Sequence, residues 1–218
     1  MNASFAAVLT GDIVNSRNMP QDHVEAGLQC LRETSQTYQD DVIWFTEDLN
    51  ILFTQHRGDG WQVYVSDARL AVDLALKMQT ALKAHEFELS TKLAIGFGAA
   101  TIPDGNLALA YGDAFIRSGD ALDELPKGQL MHIDQTIGPA GPASIAMLDL
   151  HLQSWTKAQA EAVFYKIGDP LLGISDDHIA TKLNVSRQAI QARLSSIGFR
   201  SIERALSDLK HAIAKESE

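Results

Sequence analysis

Two kinds of hydrophobic pattern alternate along residues 1–135 of the chain. Short apolar runs bounded by turn residues are typical of strands, whereas apolar residues repeated every three or four positions are typical of helices. The strand pattern predicts strands at 4–10, 44–45 continued at 49–56, 61–65, 93–101 and 129–133. The helical pattern predicts helices at about 20–39, from a cap at Ser66 or Asp67 through Leu70, Leu74 and Met78, and at 114–125.

The order of these elements predicts an α+β fold whose first part is ferredoxin-like, with the topology βαββαβ. In that topology the third strand lies antiparallel beside the first strand. Asp12 follows the first strand, and Asp59 lies in an Asp-Gly hairpin before the third strand. The predicted topology therefore places the two carboxylates side by side, an arrangement that suits a divalent cation and, through it, a triphosphate.

The chain after residue 150 has a purely helical pattern. The Gly/Pro-rich stretch at 138–142 predicts a break in regular structure, and we expect a boundary near 150–154. This divides the chain into a first domain at 1–150 and an all-α domain at 155–218. Within the second domain we expect helices at 156–166, 176–183, 187–197 and 201–215.

Residues 176–194 have the pattern of a helix-turn-helix. Ile179 and Leu183 face a core, and Asn184 supplies the left-handed turn residue. Ser186 caps the second helix, in which Ile190 begins the buried stripe. The segment resembles helix-turn-helix segments of the sigma-factor and LuxR output type. A small helical bundle with solvated polar residues is the alternative interpretation.

The start of the second helix carries side chains that suit DNA. Arg pairs with guanine and Gln with adenine in the major groove, while basic residues nearby meet phosphates. The predicted DNA-binding residues are Ser186, Arg187, Gln188, Gln191, Arg193 and Lys182.

Charge is distributed unevenly along the chain, which has 218 residues and a net charge of -10. Residues 155–218 contain nine Lys/Arg and eight Asp/Glu, a net charge of +1, so the remaining residues carry -11. A nucleic-acid partner is therefore expected at the tail, and the small positive charge predicts weak binding by one copy and hence a homodimer. One cysteine, no signal-peptide pattern and no long apolar run predict a cytoplasmic protein without a membrane span.

Several motifs of residues 5–135 resemble, in order, the class III nucleotide cyclase catalytic domain. They are Asp12-Ile13-Val14, Gly58-Asp59, the helix with Leu70, Leu74 and Met78, residues 93–98, and Tyr111-Gly112-Asp113-Ala114. Together with Ser16-Arg17 and the helical tail, they are similar to the SatD-like group, which joins a short cyclase-like domain to a helix-turn-helix.

This resemblance implies a metal site and a phosphate site. Asp12 and Asp59 match the metal-binding aspartates, Ile13 adds a backbone carbonyl, and the implied cofactor is Mg²⁺. The implied phosphate-binding residues, with their amides at a helix start or their side chains nearby, are Val14, Asn15, Ser16, Arg17 and Arg57.

The chain departs from the cyclase pattern at the positions that act on the nucleotide. Gln55 replaces the base-selecting residue, and Ile116 and Asp120 replace the ribose-binding Asn and the Arg that stabilises the transition state. An Ile cannot orient a ribose, and an Asp repels the negative charge that develops on the phosphate.

Three hypotheses follow for the function. The first is a DNA-binding transcription regulator whose degenerate cyclase-like domain senses a nucleotide or another phosphate-bearing ligand, or dimerises. The second is a Mg²⁺-dependent nucleotide cyclase or related phosphotransfer enzyme with an accessory tail. The third is a protein-interaction module.

Overall fold

In the part of the chain that the structure describes, five strands form one mixed sheet. The structure is a computed structural model, which describes residues 4–43, 49–56, 58–167 and 174–217. The strands are β1 (Ser4–Ile13), β2 (Ile51–Gln55), β3 (Gly60–Val65), β4 (Thr91–Ala100) and β5 (Met131–Ile133).

The sheet order is β2-β3-β1-β4-β5, so β1 is the central strand. It pairs antiparallel with both β3 and β4, β2 pairs antiparallel with β3, and β5 pairs parallel with β4. Asp12 lies opposite Gly60 in the β1–β3 register, which places the end of β1 beside the β2–β3 hairpin. The mixed α+β class predicted from the sequence is confirmed.

Eight α-helices are described. They are α1 (Gln21–Val42), α2 (Ala71–Ala84), α3 (Asp113–Asp123), α4 (Ala140–Gln153), α5 (Lys157–Lys166), α6 (Asp176–Leu183), α7 (Arg187–Ser196) and α8 (Phe199–Glu216). None of these helices is both long and apolar enough to cross a membrane. The strand predicted at 44–45 lies outside the described residues.

Helix α4 is the element that the sequence analysis missed. The Gly/Pro-rich stretch at 138–142 was expected to break regular structure, but the helix begins inside it at Ala140. Pro142 lies in the first turn of the helix. The N–H groups of that turn have no acceptor within the helix, so a proline, which lacks an N–H, is tolerated there. Pro139 precedes the helix, and the expected boundary at 150–154 falls at the end of α4.

The tail helices pack on the body of the protein through one continuous core. Buried side chains of the sheet, such as Leu9 and Phe97, belong to the same apolar cluster as Val163 of α5, Ile190 of α7 and Ile213 of α8. Residues 1–150 and residues 155–218 therefore share one core. Their division into two domains stays a prediction.

Helix α2 is buried around almost its whole circumference, although its pattern predicts one apolar stripe. Residues from Ala71 to Leu82 are all buried, among them Asp73 and Lys77. Helix α5 and helix α8 cover the side that the stripe leaves polar. The Lys77 ammonium donates to the Ile167 carbonyl at 2.9 Å, and Lys210 of α8 forms an ion pair with Asp73.

Helix α3 lies directly on β4 at two glycines. A Cβ at Gly96 would lie 2.8 Å from the carbonyl carbon of Arg117, and a Cβ at Gly98 would lie 2.9 Å from Cβ of Asp113. Glycine in a strand often indicates that another group approaches the backbone closely. Here that group is α3 of the same chain.

The close approach of α3 predicts that Gly96→Ala destabilises the protein by about 1–3 kcal/mol, because the added methyl group overlaps backbone atoms that cannot turn away. The matched control is Gly119→Ala in α3, where a Cβ meets no atom within 4 Å. That change is expected to be neutral or to stabilise by up to about 1 kcal/mol. Urea unfolding of both variants checks the pair, and equal effects would contradict this packing.

Candidate functional site

The end of β1 and the β2–β3 hairpin together hold the two aspartates. The His56 amide donates to the Gly60 carbonyl at 2.8 Å, and Gly58 takes a φ of 80°, which closes the turn that carries Asp59. Asp12 is opposite Gly60 on the neighbouring strand. The structure therefore brings Asp12 and Asp59 to the same corner of the sheet, as the sequence analysis expected.

Strand alternation separates Asp12 from the core. Leu9 and Ile13 are buried on the face that α1 and α2 cover, so Asp12, like Thr10, points to the opposite face. The side chain of Ile13 is occupied in the core, which leaves its backbone carbonyl as its only group for a metal. The backbone role that the resemblance implies for Ile13 stays a prediction.

Trp61 fixes the backbone on which Asp12 stands. Its indole N–H donates to Thr91 Oγ1 at 3.0 Å, and the Thr91 hydroxyl donates to the Asp12 carbonyl at 2.6 Å. A Cβ at Gly11 would lie 2.8 Å from Cε2 of the Trp61 ring. Glycine before Asp12 is therefore required by this ring, whatever ligand the aspartate binds.

The electrostatics of the corner favour a cation. Burial raises the pKa of the Asp12 carboxyl above its ordinary value, Lys92 opposes that rise, and the nearby Asp59 adds to it. A like charge beside a partly desolvated carboxylate disfavours ionisation, and a bound cation relieves both costs.

The two carboxylates at this corner are a donor set that fits Mg²⁺. Mg²⁺ is commonly held by one or two carboxylates while water and substrate phosphates complete its shell. Asp12 and Asp59 would supply those carboxylates, and the ion would supply positive charge for a phosphate. Within the described ranges, no group of three or more His, Cys, Asp or Glu side chains is placed to hold a metal ion.

A row of polar side chains beside Asp12 was not identified from the sequence. His56 Nε2 lies 2.8 Å from Gln62 Oε1, and Gln62 Nε2 donates to Thr10 Oγ1 at 3.2 Å. Thr10 Oγ1 lies 2.7 Å from the Ser118 hydroxyl on α3. The signal was present, because Thr10 and Gln62 are polar positions on one face of otherwise apolar strands.

The proposed phosphate loop differs from its expectation at Val14. Its amide donates to the Ser90 carbonyl at 3.0 Å, which continues the β1–β4 pairing, so this N–H is not available to a phosphate. Asn15 takes a left-handed φ of 60° before a single 3-10 turn at Ser16–Asn18. Arg17 is exposed there, and Arg57 lies outside the described residues.

At the three positions that differ from cyclases, the structure shows how the side chains of this chain are placed. Ile116 and Asp120 are exposed on α3, and the Gln55 amide donates to the Gly58 carbonyl at 3.2 Å within the hairpin. The neighbouring Arg117 donates from one guanidinium nitrogen to the Phe97 carbonyl at 2.9 Å. That nitrogen also donates to the Thr136 hydroxyl at 2.8 Å.

A second candidate site lies in the tail, where α6 and α7 are joined by a short turn. Asn184 has a φ of 51°, and the Val185 amide donates to the Ala180 carbonyl at 3.0 Å. The Ser186 hydroxyl accepts from the Ala189 amide at 3.2 Å and caps α7. Ile190 is fully buried, so the opposite side of α7 faces outward.

Five of the six residues predicted to bind DNA are exposed on this outward side or beside it. They are Lys182, Ser186, Arg187, Gln188 and Gln191. Arg187 forms a solvent-exposed ion pair with Asp177 at 3.3 Å, which is weak and easily exchanged. Arg193 differs from its expectation, because it is half-buried against α5, where it pairs with Glu161 at 3.5 Å.

No protein-family model and no curated protein matches the chain. Several solved structures are similar to part of it, and two of them are described next. The guanylyl cyclase Cya2 has a TM-score of 0.42 and 19% identity, over 62% of this chain and 78% of that one. The monomeric guanylyl cyclase domain of the RhoGC fusion protein from the aquatic fungus Blastocladiella emersonii has a TM-score of 0.42 and 16% identity, over 61% and 84%. A likeness this distant says nothing about activity, which has to be inferred from the residues of this chain.

The pKa of Asp12 predicts opposite effects of Asp12→Asn with and without a cation. The folded pKa is above the unfolded one, so stability falls as the pH rises from the unfolded pKa through the folded one, and the cost of the ionised Asp12 carboxylate is complete above the folded pKa. At pH 7 without a divalent cation, we expect the variant to melt at the same temperature or up to about 2 °C higher than the wild type. Below about pH 3.9 that gain should disappear.

Addition of Mg²⁺ or Mn²⁺ should reverse this order. A cation at about ten times its Kd is expected to raise the Tm of the wild type by about 3–6 °C, and the Tm of Asp12→Asn by much less. Asp113→Asn, which removes an exposed carboxylate from α3, is the control and should respond as the wild type does. An equal response of all three proteins in thermal-shift measurements would argue against this site.

Proposed function

We propose that the protein is a DNA-binding transcription regulator whose tail contains a helix-turn-helix at 176–196. The observation that carries the proposal is the outward side of α7, which presents Arg187, Gln188 and Gln191 from a helix whose other side is buried. The left-handed Asn184 and the cap at Ser186 are supporting features, since they fix the angle between the two helices. In this proposal α7 is the recognition helix.

The charge of the protein determines how this binding works. The tail has a net charge of +1 and the rest of the chain -11, so long-range attraction to DNA is weak. Specific contacts by two copies at a two-fold operator compensate for this weakness. We therefore propose that the regulator acts as a homodimer in the cytoplasm.

The body of the protein is proposed to be a cyclase-like sensor of ferredoxin-like topology. The order β2-β3-β1-β4 and its antiparallel pairings support that description. The ligand proposed for the corner at Asp12 and Asp59 is a phosphate-bearing molecule held through Mg²⁺. Asn15, Ser16 and Arg17, on the loop after β1, are proposed to contact its phosphate.

A second candidate function is a metal-dependent nucleotide cyclase. The paired aspartates favour it, because they match the chemistry that a two-metal mechanism needs. Ile116 and Asp120 oppose it, since the Ile116 side chain cannot hold a ribose hydroxyl and the Asp120 carboxylate repels the negative charge that develops on the phosphate. The third hypothesis, a protein-interaction module, would use the same tail without DNA.

Arg187→Ala is expected to weaken binding to DNA sites selected from a random library by about 5- to 150-fold, or about 1–3 kcal/mol, because a bidentate contact to a base is lost. Fluorescence anisotropy at two salt concentrations measures the effect. Lys215→Ala removes the same charge from the far end of α8 and should change affinity by less than about 2-fold.

Equal losses in the two variants would show binding by charge alone. Binding that responds to neither DNA sequence nor salt would contradict the regulator.

No cyclic nucleotide is expected from ATP or GTP with Mg²⁺ or Mn²⁺, and the rate should equal that of Asp59→Ala. The physical reason is the absence at Ile116 and Asp120 of groups that bind the ribose and stabilise the transition state. Chromatographic detection of the cyclic product is the measurement. Product formed by the wild type and lost in Asp59→Ala would favour the enzyme instead.

A further inference from the structure

The outer side of α4 is an uncharged apolar stripe. Ala143, Met147, Leu150 and Ser154 recur at helical spacing along it, and Met147 and Leu150 are 68% and 65% exposed. The one acidic residue of the helix, Asp149, is fully buried and accepts from the Leu130 amide at 3.0 Å. Large apolar side chains with this exposure, in a contiguous stripe, are typical of an interaction surface.

A groove of about 860 Å³ lies between this stripe and the start of α8. Its wall on the α8 side contains the small residues Gly198, Ser201 and Ala205, and the α4 wall contains Met147 and Leu150. Among the residues that the structure describes, no Lys, Arg, Asp or Glu lines it. One surface therefore carries both protruding apolar side chains and the space to receive them.

The two walls are held together by a specific contact. Nε2 of His151 on α4 lies 2.7 Å from the Ile197 carbonyl, at the junction between α7 and α8. Ile202, on the floor of the groove, is buried in the common core. The groove therefore has a defined shape before anything binds, which lowers the entropic cost of association.

We propose that a second copy of this chain occupies the groove, so that the α4–α8 face is a two-fold dimer interface. In a two-fold interface each surface patch meets itself, and a ridge beside a matching groove is what that symmetry requires. Met147 and Leu150 of each copy then insert against Gly198, Ser201 and Ala205 of the other.

The charge of the chain supports this choice of occupant. Two copies that each carry -10 repel each other at most orientations, and an uncharged face allows the closest approach. DNA or a charged peptide would find no side chain of opposite sign in the groove. An unrelated apolar partner is one of the outcomes of the test.

The interface is close to the proposed DNA-reading helix. Helix α7 ends at Ser196, and Ile197 and Gly198 line the groove, so the two-fold axis brings two α7 helices into one assembly. This use of the dimer rests on the proposed function, but self-association itself does not. Self-association is measured without DNA, so a failure to dimerise can be distinguished from a failure to bind DNA.

Sedimentation velocity of the full chain tests the proposal. The wild type is expected to dimerise, and Leu150→Lys or Ala205→Arg, one on each wall, should each weaken dimerisation by at least about 100-fold, because a charge is buried without a partner. Both changes make the acidic chain less negative, so general repulsion cannot explain a loss. Far-UV circular dichroism spectra that match the wild type show that the variants remain folded.

Ile116→Lys is the matched control, since Ile116 is 62% exposed on α3, away from the groove. It should leave the dimer intact. A wild type that is monomeric up to about 100 µM overturns the proposal. A dimer that resists both groove variants, or that only Ile116→Lys disrupts, overturns it as well.

Discussion

The burial of α2 on all sides is the constraint on which the rest of the structure depends. A helix with charged residues in its interior-facing positions is stable only when each charge has a partner. Asp73 pairs with Lys210 of α8, and Lys77 pairs with Asp41 of α1 at 3.5 Å and donates to the Ile167 carbonyl at the end of α5. Helix α1 and the tail together therefore satisfy the charges of α2, and the protein is built as one core with two candidate sites.

A continuous series of contacts connects these two sites. The Thr91 hydroxyl donates to the Asp12 carbonyl, and the Thr91 carbonyl accepts from the Gln79 amide of α2 at 2.8 Å. From α2 the series continues through Asp73 and Lys210 into α8, which follows the proposed recognition helix.

The corner at Asp12 and Asp59 carries the carboxylates proposed to hold a cation. The paired carboxylates and the polar row beside them lie on the face of the sheet away from α2, while Gly11 packs against Trp61 on the buried face and supports the backbone of Asp12. Helix α3 presents Ile116 to the solvent near that face. This combination of side chains is the basis of the proposal that the corner binds a ligand.

The sequence alone determined the elements with strong local signals: the strand patterns, the hairpin at Gly58, the cap at Ser186 and the turn at Asn184. Those features depend on neighbours in the chain, so periodicity and turn chemistry reveal them. Only the tertiary structure decided that α4 begins within a Gly/Pro-rich stretch, that Val14 pairs with Ser90, and that Arg193 packs against Glu161. It also decided that the polar side of α2 is covered. The start of α4 agrees with the local rule that proline is tolerated in the first turn of a helix. The other outcomes depend on a partner distant in sequence, and a pattern along one segment contains no information about that partner.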